Sequence, residues 1–187
     1  NSAVRAGGAI EASGGRTQVD DTTMSGNTAE PMPGNGGALH LTGVGNVTVN
    51  RSVVTDNTAG SEGGGLWNSG GGTMTVAGTT LTGNIANGVD PDNGGGALFN
   101  DGGSLTVNTS TVSDNSAVQG SGSGGGVFNN AGTLTVRNST FGQNSAARAG
   151  GAVETAGGNV ADARSGSGGG ILSERGATTV TTSTVSD

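Results

Sequence analysis

The stretch "TLTVRNSTFGQNSA", residues 133–146, begins as a β-strand and ends close to an asparagine. Leu134 and Val136 alternate with polar residues, which is the period of a strand that buries one face. The chain then passes through a polar serine to one aromatic residue, Phe141, and reaches Asn144 three residues later. One copy does not explain why an apolar strand should end in this way, but the chain contains five.

Five segments share an apolar residue that is followed three positions later by an asparagine. The asparagines are 27 to 31 residues apart, and they are Asn27, Asn57, Asn84, Asn115 and Asn144. A Gly-Gly-(Gly/Ala)-apolar motif keeps the same period, and so do the segments "VTV" at 47–49, "MTV" at 74–76, "LTV" at 105–107 and "LTV" at 134–136. The repeat therefore predicts three short strands per unit.

A unit of this size has no core of its own and can bury apolar residues only by stacking on its neighbours. Three short strands closed by turns predict a parallel β-helix, an all-β solenoid in which equivalent positions stack about 4.8 Å apart. We expect six to seven coils of about 27–31 residues, and residues 1–187 as a single β-helix domain. Composition alone would favour disorder, since 41 residues are glycine. The regular spacing of the motifs argues instead for a folded repeat structure.

The asparagines are expected to form one buried ladder. Side-chain amides of stacked asparagines hydrogen-bond along the column, and asparagine tolerates the left-handed conformation of a corner. The apolar partners Met24, Val54, Leu81, Val112 and Phe141 then point inward beside the ladder. A second inward column is expected to contain the hydroxyl residues Thr22, Ser52, Thr79, Ser110, Ser139 and Ser183.

The motifs "GGAI" at 7–10, "GGAL" at 36–39 and "FGQN" at 141–144 resemble the repeats of bacterial polymorphic outer membrane proteins. More broadly, the chain resembles right-handed parallel β-helix repeat proteins with a pectin-lyase-like fold. This resemblance implies an extracellular or cell-surface location. It does not imply one activity, because the architecture hosts adhesins, polysaccharide lyases and ice binders.

Composition excludes several partners. The net charge is −7 and all seven basic residues are arginine, so a basic stripe for nucleic acid is not expected. No apolar run is long enough for a membrane span, and we expect no membrane insertion by this segment. The chain has no cysteine, which excludes thiolate metal sites and disulfides.

The repeat is interrupted near residues 158–159. The apolar position of the glycine motif recurs after only 18 residues, at Val153 and Ile171, and the middle strand is missing between them. A deletion, a gap in the sequence and a real small coil each explain this interval. Both termini fall at the same phase of the repeat, which predicts a segment of a longer solenoid or a protomer that stacks end to end with an identical copy.

Candidate chemistry on the surface is sparse. His40 is expected to be a surface histidine, and Asp20 and Asp21 with Arg51 one coil away form either a catalytic site or a solvated acid pair. The loop "VDPDNGG" at 89–95 places Asp90, Asp92 and Asn93 where a calcium ion could bind, with an ordinary polar turn as the alternative. No other cofactor is expected.

Two outward features are candidates for binding. Trp67, Phe99 and Phe128 should align as an outer aromatic stripe, either open to a carbohydrate or another cell-surface partner, or packed within the fold. On another face, hydroxyl pairs at 23/25, 80/82, 111/113 and 184/186 should form two columns like those of ice binders. The sequence thus predicts a non-enzymatic structural or adhesive β-helix, with a carbohydrate-active enzyme and an ice-binding protein as alternatives.

Overall fold

The chain coils into three parallel β-sheets, which confirms the predicted β-helix. The computed structural model describes residues 1–157, 170–174 and 177–186, and within these residues no helix occurs. Paired positions in successive turns are mostly 27 to 31 residues apart, as in Thr80 with Val53 and Thr80 with Thr111. Six strands in each of two sheets enclose about five full turns, close to the predicted six to seven coils.

Sheet 1 contains two-residue strands that follow the asparagine of each repeat. They are β1 (Ser2–Ala3), β4 (Thr28–Ala29), β7 (Thr58–Ala59), β11 (Ile85–Ala86), β15 (Ser116–Ala117) and β19 (Ser145–Ala146). Sheet 2 contains the strands that precede the asparagine. They are β3 (Thr23–Ser25), β6 (Val53–Thr55), β10 (Thr80–Thr82), β14 (Thr111–Ser113), β18 (Thr140–Gly142) and β23 (Thr184–Ser186).

Sheet 3 starts with two long strands, β2 (Ile10–Asp20) and β5 (Leu39–Asn50), and later turns are divided into two strands each. The first half of β5 continues into β8 (Leu66–Asn68), β12 (Leu98–Asp101), β16 (Val127–Asn130), β20 (Val153–Ala156) and β21 (Ile171–Glu174). The second half continues into β9 (Thr73–Ala77), β13 (Ser104–Asn108), β17 (Thr133–Arg137) and β22 (Ala177–Thr181).

The corners between sheets are columns of residues in the left-handed conformation. One column leads into the ladder and contains Gly26, Asp56, Gly83, Asp114 and Gln143, all with φ between 54° and 65°. The left-handed residue at this corner therefore precedes the ladder asparagine, and the expectation that the asparagine itself adopts this conformation is wrong. The side-chain amide of the asparagine is instead used along the column.

The two strands after the irregular repeat, β21 and β22, pair with strands that belong to different turns of sheet 3. Strand β21 pairs with β20, whereas β22 pairs directly with β17, so 44 residues separate Thr133 from its partner Ala177. The short interval near 158–159 itself lies outside the described residues. Columns beyond it stay in register, since Val136 pairs with Val180 and Phe141 with Val185.

The interior is a single apolar core of stacked columns. Its members include Leu39, Leu66, Leu98, Val127 and Val153 from sheet 3, and the predicted Met24, Val54, Leu81, Val112 and Phe141 from sheet 2, all nearly inaccessible to solvent. Burial of these side chains supplies the main driving force for coiling, at about 25 cal/mol for each Å² of apolar surface removed from water.

Candidate functional site

The predicted asparagine ladder is confirmed as a buried hydrogen-bonded column. The Nδ2 atoms of Asn27, Asn57, Asn84 and Asn115 donate to Oδ1 of the next asparagine at 2.8 to 2.9 Å. Each of these oxygens also accepts the backbone N–H of the preceding asparagine. The column begins at Asn1, whose Nδ2 donates to Asn27 Oδ1. These bonds hold the ladder inside the fold, where it has a structural role.

The predicted hydroxyl column is also present. From Ser52 onward, each side-chain oxygen accepts a backbone N–H from the turn before, as in Ser52 N–H to Thr79 Oγ1 and Thr79 N–H to Ser110 Oγ. Ser110 Oγ in turn donates to the carbonyl of Asn108, two residues back in the chain. The column therefore satisfies backbone groups at the corner between sheets 3 and 2.

A second asparagine ladder was missed in the sequence. Asn68 Nδ2 donates to Asn100 Oδ1, and Asn100 Nδ2 donates to Asn129 Oδ1, both at 2.6 Å, and all three side chains are fully buried. The signal was present in "LWN", "LFN" and "VFN", where the asparagine alternates inward two residues after an inward apolar residue. This ladder joins the two halves of sheet 3.

The aromatic stripe is aligned as predicted, and of the two alternatives left open by the sequence it adopts the packed one. Trp67, Phe99 and Phe128 pair in register, and their exposed fractions are 9%, 1% and 0%. They form a second apolar cluster on the outer side of sheet 3. The packing alternative therefore holds for these three residues, and a partner has no direct access to them.

A segment that precedes a glycine motif contacts this second cluster. Glu62 lies in such a segment, and its carboxylate accepts the Trp67 indole N–H at 3.0 Å and the Asn93 amide at 3.0 Å. Burial raises the pKa of the Glu62 carboxyl, and these two hydrogen bonds oppose the shift. At the far end of the stripe, Arg148 binds the buried Glu154. The stripe is thus an internal layer between sheet 3 and the loops.

His40 extends this layer by one turn, and the prediction of a surface histidine is wrong. It is 8% exposed, and its ring stacks on Trp67 with 4.2 Å between centroids and 9° between planes. His40 Nδ1 lies 3.0 Å from Thr42 Oγ1. Burial lowers the pKa of His40 from 6.5 to about 4, so the imidazole is neutral near pH 7.

We expect His40 to make the protein less stable as the pH falls. Unfolded His40 binds a proton near pH 6.5 and the folded residue only near pH 4, so its contribution is complete above pH 6.5 and is lost between these values. The expected loss is roughly 2 kcal/mol after allowance for solvent screening.

The measurement is urea unfolding of the wild type and His40→Gln between pH 7 and pH 4. Glu62 has a raised pKa, so its contribution to stability increases as the pH falls, opposite to that of His40. Because both proteins contain Glu62, the difference between them isolates the contribution of His40. Parallel stability curves for the two proteins would contradict the prediction.

The acid pair near Arg51 lies on the surface. Arg51 donates two hydrogen bonds to the Asp21 carboxylate, both at 2.8 Å, and both side chains are exposed. The Arg51 guanidinium lowers the pKa of Asp21. Asp20 accepts hydrogen bonds from Gln18 and Asn50. Both carboxylates therefore accept hydrogen bonds from neighbouring side chains, an arrangement typical of a solvated surface network.

The loop proposed for calcium is closed by hydrogen bonds of its own. Asn93 N–H donates to the Asp90 carbonyl at 3.0 Å, and Asn93 Oδ1 accepts the Asp90 N–H at 3.2 Å. The Asn93 amide oxygen is thus engaged in the turn. Among the described residues, no group of three or more His, Cys, Asp or Glu side chains converges on one point. Calcium binding by Asp90, Asp92 and Asn93 stays a prediction.

Both outward hydroxyl columns predicted on sheet 2 are present. Ser25, Thr82 and Ser113 stack in register through Thr55 in one of them, and the other column is longer than predicted. We call it the sheet 2 threonine column; it contains Thr23, Thr80, Thr111, Thr140 and Thr184, all exposed, with Val53 between the first two. Thr140 was not counted in the sequence, because the motif there continues into Gly142.

A second outward threonine column was missed. We call it the sheet 3 threonine column; it contains Thr48, Thr75, Thr106, Thr135 and Thr179 in register. Its sequence signal is the central threonine of the "VTV", "MTV" and "LTV" segments, which must point away from a core that buries both flanking residues. Two sheets therefore each present a row of hydroxyls in register at the strand spacing of about 4.8 Å, interrupted on sheet 2 by Val53.

A cavity of about 240 Å³ lies where the aromatic layer ends at His40. Its walls are formed by Arg5, Ala6, Pro33, Asn35, His40 and Thr42. Glu11 stands beside it, because its carboxylate accepts a hydrogen bond from Thr42 Oγ1 at 3.4 Å and lies 3.7 Å from Arg5 Nη2. Polar groups of both signs thus surround a small space with apolar walls.

The described part of the chain has no helix that is long and apolar enough to cross a membrane. The family model for the right-handed β-helix region matches residues 1–185. No curated protein and no solved structure matched the sequence. The three parallel sheets, the stacked corners and this match over nearly the whole chain agree, and the protein belongs to the right-handed β-helix family.

Proposed function

We propose that this chain is a non-enzymatic, secreted or surface-displayed rod that contacts an extended partner through its outer faces. The observation that carries the proposal is the pair of threonine columns on sheets 2 and 3. Each column repeats one hydroxyl at the strand spacing, so the surface is periodic along the rod. A partner that matches it is a polymer with regularly repeated hydroxyl groups, such as a polysaccharide.

The chemistry of these faces supports adhesion. A threonine hydroxyl both donates and accepts hydrogen bonds, and its short β-branched side chain has little conformational freedom in a strand. Many weak contacts in one register add up along a polymer, whereas a single hydroxyl contributes little. The buried aromatic stripe, in contrast, contributes rigidity to the rod.

We expect a lysine in either column to reduce binding to insoluble polysaccharides severalfold, because a long charged side chain breaks the flat hydroxyl row. The variants are Thr111→Lys on sheet 2 and Thr106→Lys on sheet 3, and Val118→Lys on an exposed loop is the matched control. The measurement is the fraction that co-sediments with cellulose, chitin or peptidoglycan. If the wild type sediments with none of these polymers, or both column variants bind as well as it does, the proposal fails.

Ice binding is a second candidate, favoured by the same flat threonine columns. Measuring inhibition of ice recrystallisation and polymer binding with the same two column variants distinguishes ice binding from polymer binding. The enzyme alternative rests on Asp20 and Asp21; release of products from polysaccharides that is lost in Asp20→Asn or Asp21→Asn would favour it. In the structure Asp21 is bound to Arg51, which supports the non-enzymatic proposal.

End-to-end stacking with an identical copy stays part of the proposal. In the described part of the chain, β3 and β23 are the outer strands of sheet 2. An outer strand exposes unpaired backbone donors and acceptors, which favours pairing with a strand of another molecule.

A further inference from the structure

We propose that the cavity beside His40 binds one neutral sugar ring. The inference rests on the proposed function, since a surface-displayed rod is exposed to glycans. It adds a class of ligand and a binding site besides the threonine columns. The cavity lies over the first turns of sheet 3, at the side of the rod, and is separate from the threonine columns.

The cavity exists because the aromatic layer becomes thinner at its start. Trp67, Phe99 and Phe128 fill the space between sheet 3 and the loops in three successive turns. The next two residues in the same column, His40 and Glu11, have smaller or more polar side chains. A space of about 240 Å³ remains beside them, with Pro33 and Asn35 among its walls, and this volume suits a single hexose.

One wall of the cavity is a rigid, flat ring. The Trp67 indole covers one face of the His40 imidazole, and stacking holds the two rings nearly parallel. Burial keeps the imidazole neutral near pH 7, so it does not attract an anion. Together with Ala6 and Pro33, it offers an apolar surface for the C–H groups of a sugar ring.

The polar groups around the cavity match hydroxyls better than a charged ligand. Asn35 Oδ1 accepts the Glu62 N–H at 3.2 Å, so the amide NH₂ of Asn35 is available as a donor. Arg5 is largely exposed and lies 3.7 Å from Glu11, longer than a hydrogen bond, so its N–H groups can also donate.

Glu11 supplies an acceptor beside these donors. A sugar hydroxyl both donates and accepts and can use all of these groups. An anion would meet the Glu11 carboxylate, and a cation would meet the Arg5 guanidinium. The mixed charges around the cavity therefore favour a neutral ligand.

Trp67 provides a direct test, since it is the only tryptophan and the chain has no tyrosine. Its emission should change saturably when glucose, galactose or N-acetylglucosamine fills the cavity, with a Kd of about 1 mM, as expected for so small a ligand. Galacturonic acid, which adds a carboxylate to the galactose ring, should bind more weakly than galactose. Saturation-transfer NMR on the same sugars gives a second readout that does not depend on Trp67.

Two variants locate the site. His40→Phe extends the aromatic layer into the cavity and should abolish the NMR signal without lowering the unfolding temperature, because it adds apolar contacts. Arg5→Gln should weaken binding about tenfold. Arg137→Gln removes an exposed arginine from the outer face of β17 and should leave binding unchanged.

Three results would overturn the inference. The first is the absence of a saturable response to any of the four sugars up to about 50 mM, a concentration that fills a millimolar site. The second is an equal response in the wild type and in His40→Phe. The third is binding of galacturonic acid and of no other sugar. A wild type that binds none of the polymers, or threonine variants that bind them as well as the wild type, with sugar binding intact, would count against the proposed function and not against this site. The converse pattern would remove only this inference.

Discussion

Gly96→Ala is expected to prevent folding or to cost more than about 4 kcal/mol, which is more than most single substitutions cost. A Cβ atom at this position would lie 2.2 Å from the Gly125 carbonyl oxygen and 2.5 Å from the Ser116 nitrogen. Both atoms belong to backbone that is held in the next turn by strand pairing. No rotation of a side chain can relieve such a contact, so the turns themselves must separate.

The same restriction applies along the whole rod. Gly8, Gly37, Gly64, Gly96 and Gly125 form a column in which a Cβ would lie 2.1 to 2.4 Å from a backbone oxygen. Here the chain enters sheet 3 and passes directly against the two-residue strand of sheet 1 in the next turn. Glycine is required at this column because of close backbone approach.

Gly142→Ala is the matched control. Its Cβ would be 3.7 Å from the nearest atom, an ordinary contact, and the residue lies in strand β18. Alanine there should be neutral or slightly stabilising, because it reduces the freedom of the unfolded chain. Circular dichroism and urea unfolding of both variants test the prediction, and a well-folded Gly96→Ala protein with wild-type stability would contradict it.

Asn84→Ala is expected to destabilise the protein by about 3–5 kcal/mol. Asn84 is fully buried at the centre of the ladder. Its Oδ1 accepts the backbone N–H and the Nδ2 of Asn57, and its Nδ2 donates to Asn115 Oδ1 and to the Val54 carbonyl. Alanine removes these bonds, leaves buried donors of Asn57 without this acceptor and creates a small cavity.

Asn46→Ala serves as its control, because Asn46 is an exposed asparagine at the outer face of β5. We expect a change of less than about 0.5 kcal/mol for this variant, the usual range for a surface substitution. Equilibrium urea unfolding with Trp67 emission as the probe measures both. Equal stabilities of the two variants would show that the ladder is dispensable.

The architecture and much of the interior could be predicted from the sequence. The repeat of an apolar residue followed three positions later by asparagine identifies equivalent positions in successive turns, and stacking then places Asn27 to Asn144 in one column. Alternation in "LTV" places Leu105 and Val107 inward, and their burial confirms it. The repeat period is sufficient to assign these positions because every turn stacks on a turn with nearly the same residue pattern.

The candidate sites could not be predicted in the same way. Alternation correctly placed Trp67 on the outer side of sheet 3, but it does not show whether another part of the chain covers that side. The loops before the glycine motifs differ in length and sequence from turn to turn, so the period contains no information on where they pack.

By itself, the sequence determined the coil, the register of its columns and the residues that point inward, because these depend on a repeated local pattern. Only the tertiary structure decided which outward residues meet water. The segment with Glu62 returns over Trp67 and makes the aromatic stripe internal, whereas nothing in the described chain covers Thr111. The cavity at His40 has the same origin, since its walls come from separate turns that contact each other only after the rod has formed.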